Sequence, residues 1–304
     1  MKKSYKVAGH VFSVVLPDGD AQWDRMKNYE PFETADCPDE IFSLERTEPF
    51  PVEGKQAVYV EPAEDPDQPK VELYRLGEDW LFEMAPVQSM RACARVIVSP
   101  DYRQARYCVA TTAQNIADFA LNNALMLVYA FRTATLGTLE MHSSVIVNGG
   151  RGYMFLGKSG TGKSTHSSLW LKYIPGSRLL NDDNPIVRVM PDGAVRVFGS
   201  PWSGKTPCYI NDDAPVGAIV RLRQHPENII KKMSAPEAYA SIYSSSSGFK
   251  ANKVIADGLY ETVAAVVTAV PCYLLDCLPD EAAAQLSHST VSASSGQRFD
   301  SNER

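Results

Sequence analysis

The 304-residue sequence predicts an α/β protein in which a P-loop nucleotide-binding core follows a β-rich N-terminal domain. Three observations support this. From residue 156 onward, apolar runs of strand length alternate with stretches of helical periodicity. The first of these strands runs directly into a full match to G-x-x-x-x-G-K-[ST]. Ahead of it, residues 1–110 are short β-like runs parted by turn clusters.

The opening has two lysines before a short apolar run, a faint likeness to a signal peptide. His10 and Ser13 interrupt that run, and no small-x-small cleavage site precedes Pro17-Asp18-Gly19. Residues 7–16 are therefore expected as a first strand ending in a turn. Residues 56–60 and 70–76 are further strands, with acidic, proline-containing segments such as 61–67 between them. Residues 95–99 and 104–109 read as a hairpin around Pro100-Asp101-Tyr102-Arg103. Thr111 and Thr112 can cap a helix over about 113–133, where Ile116, Phe119, Ala120, Leu127 and Phe131 recur at helical spacing. A second hairpin, 143–147 with 153–156, turns on Gly149, Gly150 and Gly152.

After the glycine-rich motif the sequence predicts a helix over 164–173 and strands over 178–180, 186–190, 195–198 and 217–222. A helix near 236–243, a serine-rich loop (244–248), a helix over 252–270, a strand over 270–275 and a short helix over 279–286 complete the order. The domains expected are 1–110, β-rich and serving an accessory or recognition role; 111–137, a connecting helix; 138–286, the core; and 287–304, a polar, serine-rich disordered tail.

Composition bounds the function. Hydrophobic residues make up 44% and charged residues 22%, ordinary for a soluble globular chain. A net charge of −6 argues against a general nucleic-acid binder. Residues 1–80 hold 18 acidic and 9 basic side chains, and residues 81–304 hold 18 and 21, so an anionic ligand is expected in the later part. The most apolar stretch, 124–131, is far short of the ~20 residues that cross a bilayer. The six cysteines (37, 93, 108, 208, 272 and 277) show no C-x-x-C pair and read as reduced core thiols. A cytoplasmic protein with no nucleic-acid or membrane partner is expected, its oligomeric state left open.

The motif itself is Gly157-Lys158-Ser159-Gly160-Thr161-Gly162-Lys163-Ser164, followed by Thr165. Its glycines let successive backbone N–H groups turn inward around a phosphate. Lys163 supplies a point charge for the β- and γ-phosphates of ATP, Ser164 a hydroxyl for Mg²⁺, and the following helix its positive N-terminal end. Next, an apolar strand delivers Asn181-Asp182-Asp183-Asn184. One carboxylate can serve the metal while the other takes a proton from an attacking hydroxyl; an Asx-rich turn is the plain alternative. His142, fifteen residues before Gly157, is either structural or close to the phosphate end of the sheet. Residues 198–205 form either a simple connection or a second anion-contacting loop carrying Lys205. Arg221 and Arg223 alternate with Val220 and Leu222, so both point to one face of their strand, toward phosphate or solvent. Asn211-Asp212-Asp213 reads as a turn.

LEMHSSVIVNGGRGYMFLGKSGTGKSTHSSLW, followed by LLNDDNPIVR, resembles the HPr kinase/phosphorylase family, which shares a carboxykinase-like core with phosphoenolpyruvate carboxykinases. The resemblance spans roughly residues 138–280. It rests on a His before the P-loop, a hairpin entering the loop and an Asp-Asp pair after the next strand. It implies a kinase that moves the γ-phosphoryl of ATP to a hydroxyl, first of all serine, of a protein, peptide or small molecule. By it, Asp182 is the proton acceptor with His142 beside it, and Asp183 supports Mg²⁺ together with Ser164. Lys205 is assigned to the transferred or acceptor phosphate. The family's basic signature stretch near the end of the core has no counterpart, residues 251–270 being an amphipathic helix, so phosphorylase activity and HPr as substrate are not carried over. A nucleotide-gated binding module and a carbon–carbon lyase are the rival classes.

Overall fold

Two residues in left-handed conformation, Ala8 (φ 49°) and Gly9 (φ 80°), split the opening apolar run of the computed structural model into a hairpin, β1 (Lys2–Val7) and β2 (His10–Val15). The strand expected over 7–16 is β2, entered through this turn, and β1 lies ahead of it except for Val7. The turn lacks the Asn-Gly or Asp-Gly signature of such tight reversals. The structure describes residues 1–35, 37, 39–50, 56–61, 69–86, 94–109, 114–204 and 206–296. It divides into two compact units, Met1–Arg132 and Thr133–Arg304.

In the first unit, β3 (Glu40–Arg46), β4 (Tyr59–Glu61), β5 (Pro69–Leu76), β6 (Asp79–Pro86), β7 (Ala94–Val98) and β8 (Gln104–Val109) join the hairpin. Together they form one eight-stranded sheet in the order β1-β2-β3-β8-β7-β6-β5-β4. The β7/β8 hairpin turns at the expected place, with Tyr102 at φ 56°. The helix α1 (Gln114–Thr133) packs on this sheet, so it belongs with the N-terminal strands. Tyr129 donates its hydroxyl to the Val7 carbonyl, and Phe12 stacks on Phe42 with centroids 5.0 Å apart. Asp118 accepts from Arg25 and Gln22, and Asn122 from Tyr29, which fixes the polar side of the helix. The threonines expected to cap it lie outside the described residues.

The second unit opens with β9 (Thr138–Glu140) and the hairpin β10 (Ser143–Asn148) and β11 (Arg151–Leu156), which turns on Gly149 and Gly150, both at positive φ. After the glycine-rich loop come α2 (Lys163–Tyr173), β12 (Arg178–Asp183), β13 (Ile186–Val189), β14 (Val195–Phe198) and the long β15 (Asp213–Gln224). Then follow β16 (Ile229–Lys232), α3 (Ala235–Ser244), α4 (Lys253–Ala269), β17 (Cys272–Cys277) and α5 (Glu281–Gly296). Asp213, read in the sequence as part of a turn, begins β15 and pairs with Arg196.

β15 connects two hydrogen-bonded arrays. Its C-terminal part runs parallel to both β11 and β17, in the order β12-β10-β11-β15-β17-β16. Its first residues pair antiparallel with β14, which leads on through β13 to β9. One face of the first array is dry. Tyr153, Phe155, Val220, Leu222, Tyr273 and Leu275 pack there against Trp170 of α2 and Ala284 and Val291 of α5. α3 and α4 pack on each other, and α4 lies against β9 and β13. Gly258 permits close approach of α4 to the turn before β9, since a Cβ would sit 2.6 Å from the Ala134 carbonyl oxygen.

α5 corrects the expected disordered tail. The serine-rich residues continue the helix to Gly296, and residues 297–304 lie outside the described residues. Ala283, Ala284, Ser287 and Val291 form a buried stripe at helical spacing, which a count of apolar side chains overlooks. Ser287 is fully buried and meets the Trp170 indole N–H and the His166 ring at 2.9 and 3.0 Å. Burial pushes the His166 imidazole down to about 4. No described helix is long and apolar enough to cross a membrane. Among the described cysteines, all free, Cys108, Cys208 and Cys272 are buried and Cys277 partly so, while Cys37 is exposed rather than in the core.

Candidate functional site

The site lies within the second unit, at the edge where β11 and β12 end, β10 begins and β15 passes. Ser143 of β10 is in register with Leu156 of β11 and with Asp183 of β12, and Leu156 is in register with Arg221 of β15. The glycine-rich loop leaves β11 at this edge.

Gly160 (φ 76°) and Gly162 (φ 105°) hold the left-handed backbone that turns the loop back toward α2. At Gly157 a Cβ would press within 3.0–3.2 Å of the Thr161 side chain. The Thr161 amide closes the turn onto the Lys158 carbonyl at 3.1 Å, and the His166 amide bonds the Gly162 carbonyl at 2.8 Å. Lys163 is nearly buried and donates its ammonium to the Gly157 carbonyl at 3.0 Å, so the cation lies across the loop's mouth. Gln224, at the end of β15, donates to the Gly160 carbonyl at 3.1 Å, a support the sequence did not signal.

Ser164, in the first turn of α2, donates its hydroxyl to Asp182 Oδ1 at 3.0 Å. Asp182 is only 5% exposed. Its row of the sheet faces α2, because the in-register Ser144 bonds Ser167 of that helix at 2.6 Å. Asp183 is contacted instead by His142, whose Nε2 lies 3.2 Å from Oδ1, while Asn184 donates to Oδ2 at 3.1 Å. The two partnerships expected from the family resemblance are therefore exchanged. Ser164 stands with Asp182, and His142 stands with Asp183. Alternation along a strand sends neighbouring side chains to opposite faces, so an adjacent acid pair must divide its contacts. Asp183 has φ 138°, a backbone conformation side chains rarely adopt, held at the end of β12.

The loop after β14 holds this strain in place. The Gly204 amide and the Ser203 hydroxyl both donate to the Asp182 carbonyl, at 2.7 and 3.1 Å. Asn181, fully buried, donates to the Trp202 carbonyl and to Ser200 Oγ at 3.0 and 3.2 Å, and accepts from the Asn184 amide. The segment read in the sequence as a connection or a second anion loop thus buttresses the Asp pair. Lys205 lies outside the described residues.

Two more groups at this edge escaped sequence reading. Glu140, the last residue of β9, is 1% exposed, with Oε1 3.4 Å from Ser247 Oγ and Oε2 without a hydrogen-bond partner. Burial, reinforced by the negative charge of Asp183, pushes its carboxyl up to about 8 against the pull of the Ser247 hydrogen bond. Ser245 takes the His142 amide on its carbonyl at 2.7 Å. An acid in a short apolar strand, and serines in a loop, are the weak signals that could have pointed to them. Of the two arginines on β15, Arg223 is exposed and forms a bidentate ion pair with Asp276, whereas Arg221 is half-buried.

Whether these donors suit Mg²⁺ turns on their chemistry. Among the described residues no cluster of three or more His, Cys, Asp or Glu side chains could hold a metal. A buried carboxylate beside a hydroxyl is instead the small set of hard oxygens that Mg²⁺ takes from a protein when substrate phosphates and waters complete its shell, and Ser164 and Asp182 fit that requirement.

No family model and no curated protein matches the chain. Among solved structures, the HPr(Ser) kinase/phosphatase from Coxiella burnetii is similar to it at a TM-score of 0.32 and 11% identity, over 52% of this chain and 97% of that one. A likeness of that size says nothing about what this chain does.

Proposed function

We propose that the chain is an ATP-dependent phosphotransferase on a carboxykinase-like P-loop core, moving the γ-phosphoryl group to a hydroxyl, first of all serine, of a protein, peptide or small molecule. The observation that supports this best is the pairing of Ser164 with Asp182 at 3.0 Å, beside a complete glycine-rich motif between strand and helix. A carboxylate beside the motif's hydroxyl is the arrangement that phosphoryl transfer requires for charge neutralisation.

In this reading the loop amides and Lys163 hold the β- and γ-phosphates, and Ser164 and Asp182 hold Mg²⁺. Bound there, the ion would neutralise charge developing on the phosphate oxygens. Asp183, oriented by His142 and Asn184, accepts the proton of the acceptor hydroxyl. The hydroxyl oxygen forms its bond to the γ-phosphorus as the bond to the β,γ-bridging oxygen breaks, and the electron pair leaves with ADP. The contacts each aspartate makes support this division of roles, the reverse of the order the resemblance implied.

The test is label transfer from γ-labelled ATP with Mg²⁺ in cell extract separated into macromolecular and small-molecule fractions, comparing wild type with Lys163→Ala. Label that depends on Lys163 is expected in one fraction, and that fraction gives the acceptor class. Free phosphate alone, or binding without transfer, would overturn the proposal in favour of a nucleotide-gated module. Within an active enzyme, Asp182→Asn is expected to weaken Mg²⁺-dependent nucleotide binding. Asp183→Asn is expected to spare binding and lower turnover by about 10²–10⁴-fold, the usual contribution of a general base. The opposite pattern in the two variants would return the roles to the implied order.

A further inference from the structure

Arg221 alternates with Val220 and Leu222, which lie in the dry core under α2, so its side chain projects from the opposite face, toward α3. All three of its hydrogen bonds leave from Nη1 and end on neutral oxygens. They run to Ser241 O at 3.3 Å, Ser241 Oγ at 3.2 Å and Ser245 Oγ at 3.4 Å, the long end of the range for such bonds. No carboxylate of the described residues pairs with it, in contrast to Arg223 two residues on. Burial alone lowers the pKa of its guanidinium, with no neighbouring charge to offset the effect. A half-buried guanidinium with only neutral partners is an arrangement that an anion would complete.

Its position connects it to the proposed transfer site. Ser245, which accepts from Arg221 through its hydroxyl, also accepts the His142 amide through its carbonyl, and His142 contacts Asp183. The register supplies a second path, since Asp183, Ser143, Leu156 and Arg221 occupy one row across four adjacent strands. In that row Ser143 Oγ is buried without a hydrogen-bond partner. Three strand spacings put the Cα atoms of Asp183 and Arg221 about 14 Å apart, which both side chains shorten. One contact, to the Ser241 carbonyl in the last turn of α3, has a purely structural account, a cation at the negative end of a helix. That account does not extend to the buried, unpartnered Ser143 hydroxyl in the same row.

We propose that Arg221, with Ser241 and Ser245, is the subsite for an anionic group of the phosphoryl acceptor, a carboxylate or a phosphate, and that the acceptor is a small anionic hydroxy compound. This rests on the phosphotransferase reading of the neighbouring loop and narrows its acceptor class. The hydroxyl to be phosphorylated lies at Asp183 and the anionic end at Arg221. Glu140, held protonated at neutral pH, adds no negative charge to this side of the site.

The test uses the full chain saturated with a non-hydrolysable ATP analogue and Mg²⁺, so that the glycine-rich loop is filled before any probe is added. ¹³C-acetate and inorganic phosphate are then titrated separately and followed by NMR. Saturable binding of at least one is expected, and the tighter probe distinguishes carboxylate from phosphate. Arg221→Gln should weaken it about tenfold or more, the equivalent of a charge-assisted hydrogen bond. If that variant no longer binds the analogue, Ser245→Asp replaces it. A carboxylate placed beside the guanidinium neutralises it and should abolish probe binding. No saturable binding to the wild-type complex, or binding that these variants leave unchanged, overturns the proposal. Failure of the wild-type chain to bind the analogue at all is a separate result, and it overturns the phosphotransferase reading.

Discussion

Glu140→Gln isolates the effect of burying one acid at the site. The wild-type carboxyl is 1% exposed, has an unpartnered Oε2 and is pushed up to about 8, against 4.5 for an ordinary glutamate. Between those two values the folded chain keeps a proton that the unfolded chain has released. Stability therefore falls as pH rises through the window, with a slope of about 1.4 kcal/mol per pH unit from this group. From about pH 5.5 to 7.5 the wild type loses about 3 kcal/mol that a permanently neutral glutamine does not lose. Urea unfolding at several pH values measures this, with Trp170 and Trp202 as buried reporters in a background where Trp23 and Trp80 are replaced by phenylalanine. The comparison of slopes is insensitive to any fixed cost of fitting the amide. Parallel stability curves for the wild-type chain and the Glu140→Gln variant would refute the reasoning, because they would mean the carboxyl ionises as freely in the fold as in water.

Three further outcomes are expected. Ser287→Ala leaves the Trp170 indole N–H and the His166 ring without their shared partner, and two orphaned groups cost about 2–5 kcal/mol, readable as a fall in thermal midpoint; an unchanged midpoint would mean that α5 is not docked at this point. His166, held neutral by burial down to about 4, lets the unfolded chain take a proton that the folded chain refuses, so stability falls as pH drops from 6.5 toward 4, by about 3 kcal/mol in all. His166→Phe should remove that acid sensitivity in denaturant titrations. Gly162→Ala forces a Cβ onto a backbone at φ 105°, a strain of about 1–2 kcal/mol, and should reduce affinity for an ATP analogue in a fluorescence titration while the chain remains folded.

Most of the second unit was legible because its signals are local. The glycine-rich loop, the hairpin on Gly149 and Gly150, and the strand leading to Asp182 each depend on a few consecutive residues. What the sequence withheld depends on alternation and distance. The pairing of Ser164 with Asp182, and of His142 with Asp183, is set by which face each side chain takes at the end of β12, and a left-handed residue at that point escapes any periodicity. Gln224 meets Gly160 across 64 positions, and Asn181 finds Trp202 across 21, so neither could be placed from its neighbours. β3, β6, β9 and β16 were missed because they are short or carry charged residues on one face, and propensity gives way there to pairing with neighbours already in the sheet.

β15 has a consequence for how the second unit comes apart. Its twelve residues bond antiparallel to β14 at one end and parallel to β11 and β17 along the rest, so removing it breaks both arrays together. The strands it joins are distant in the chain, and such pairings form slowly because large loops must close first. Once formed, they tie the glycine-rich loop and the β13–β14 ribbon to one opening event. In native-state hydrogen exchange the central amides of β15 should exchange only through unfolding of the whole unit, while the ends of α3 and α5 open separately. The edge that holds Asp182, Asp183 and Arg221 thus shares its opening free energy with the entire unit, and ligand entry there must proceed by movement of loops and side chains rather than of the strand beneath them.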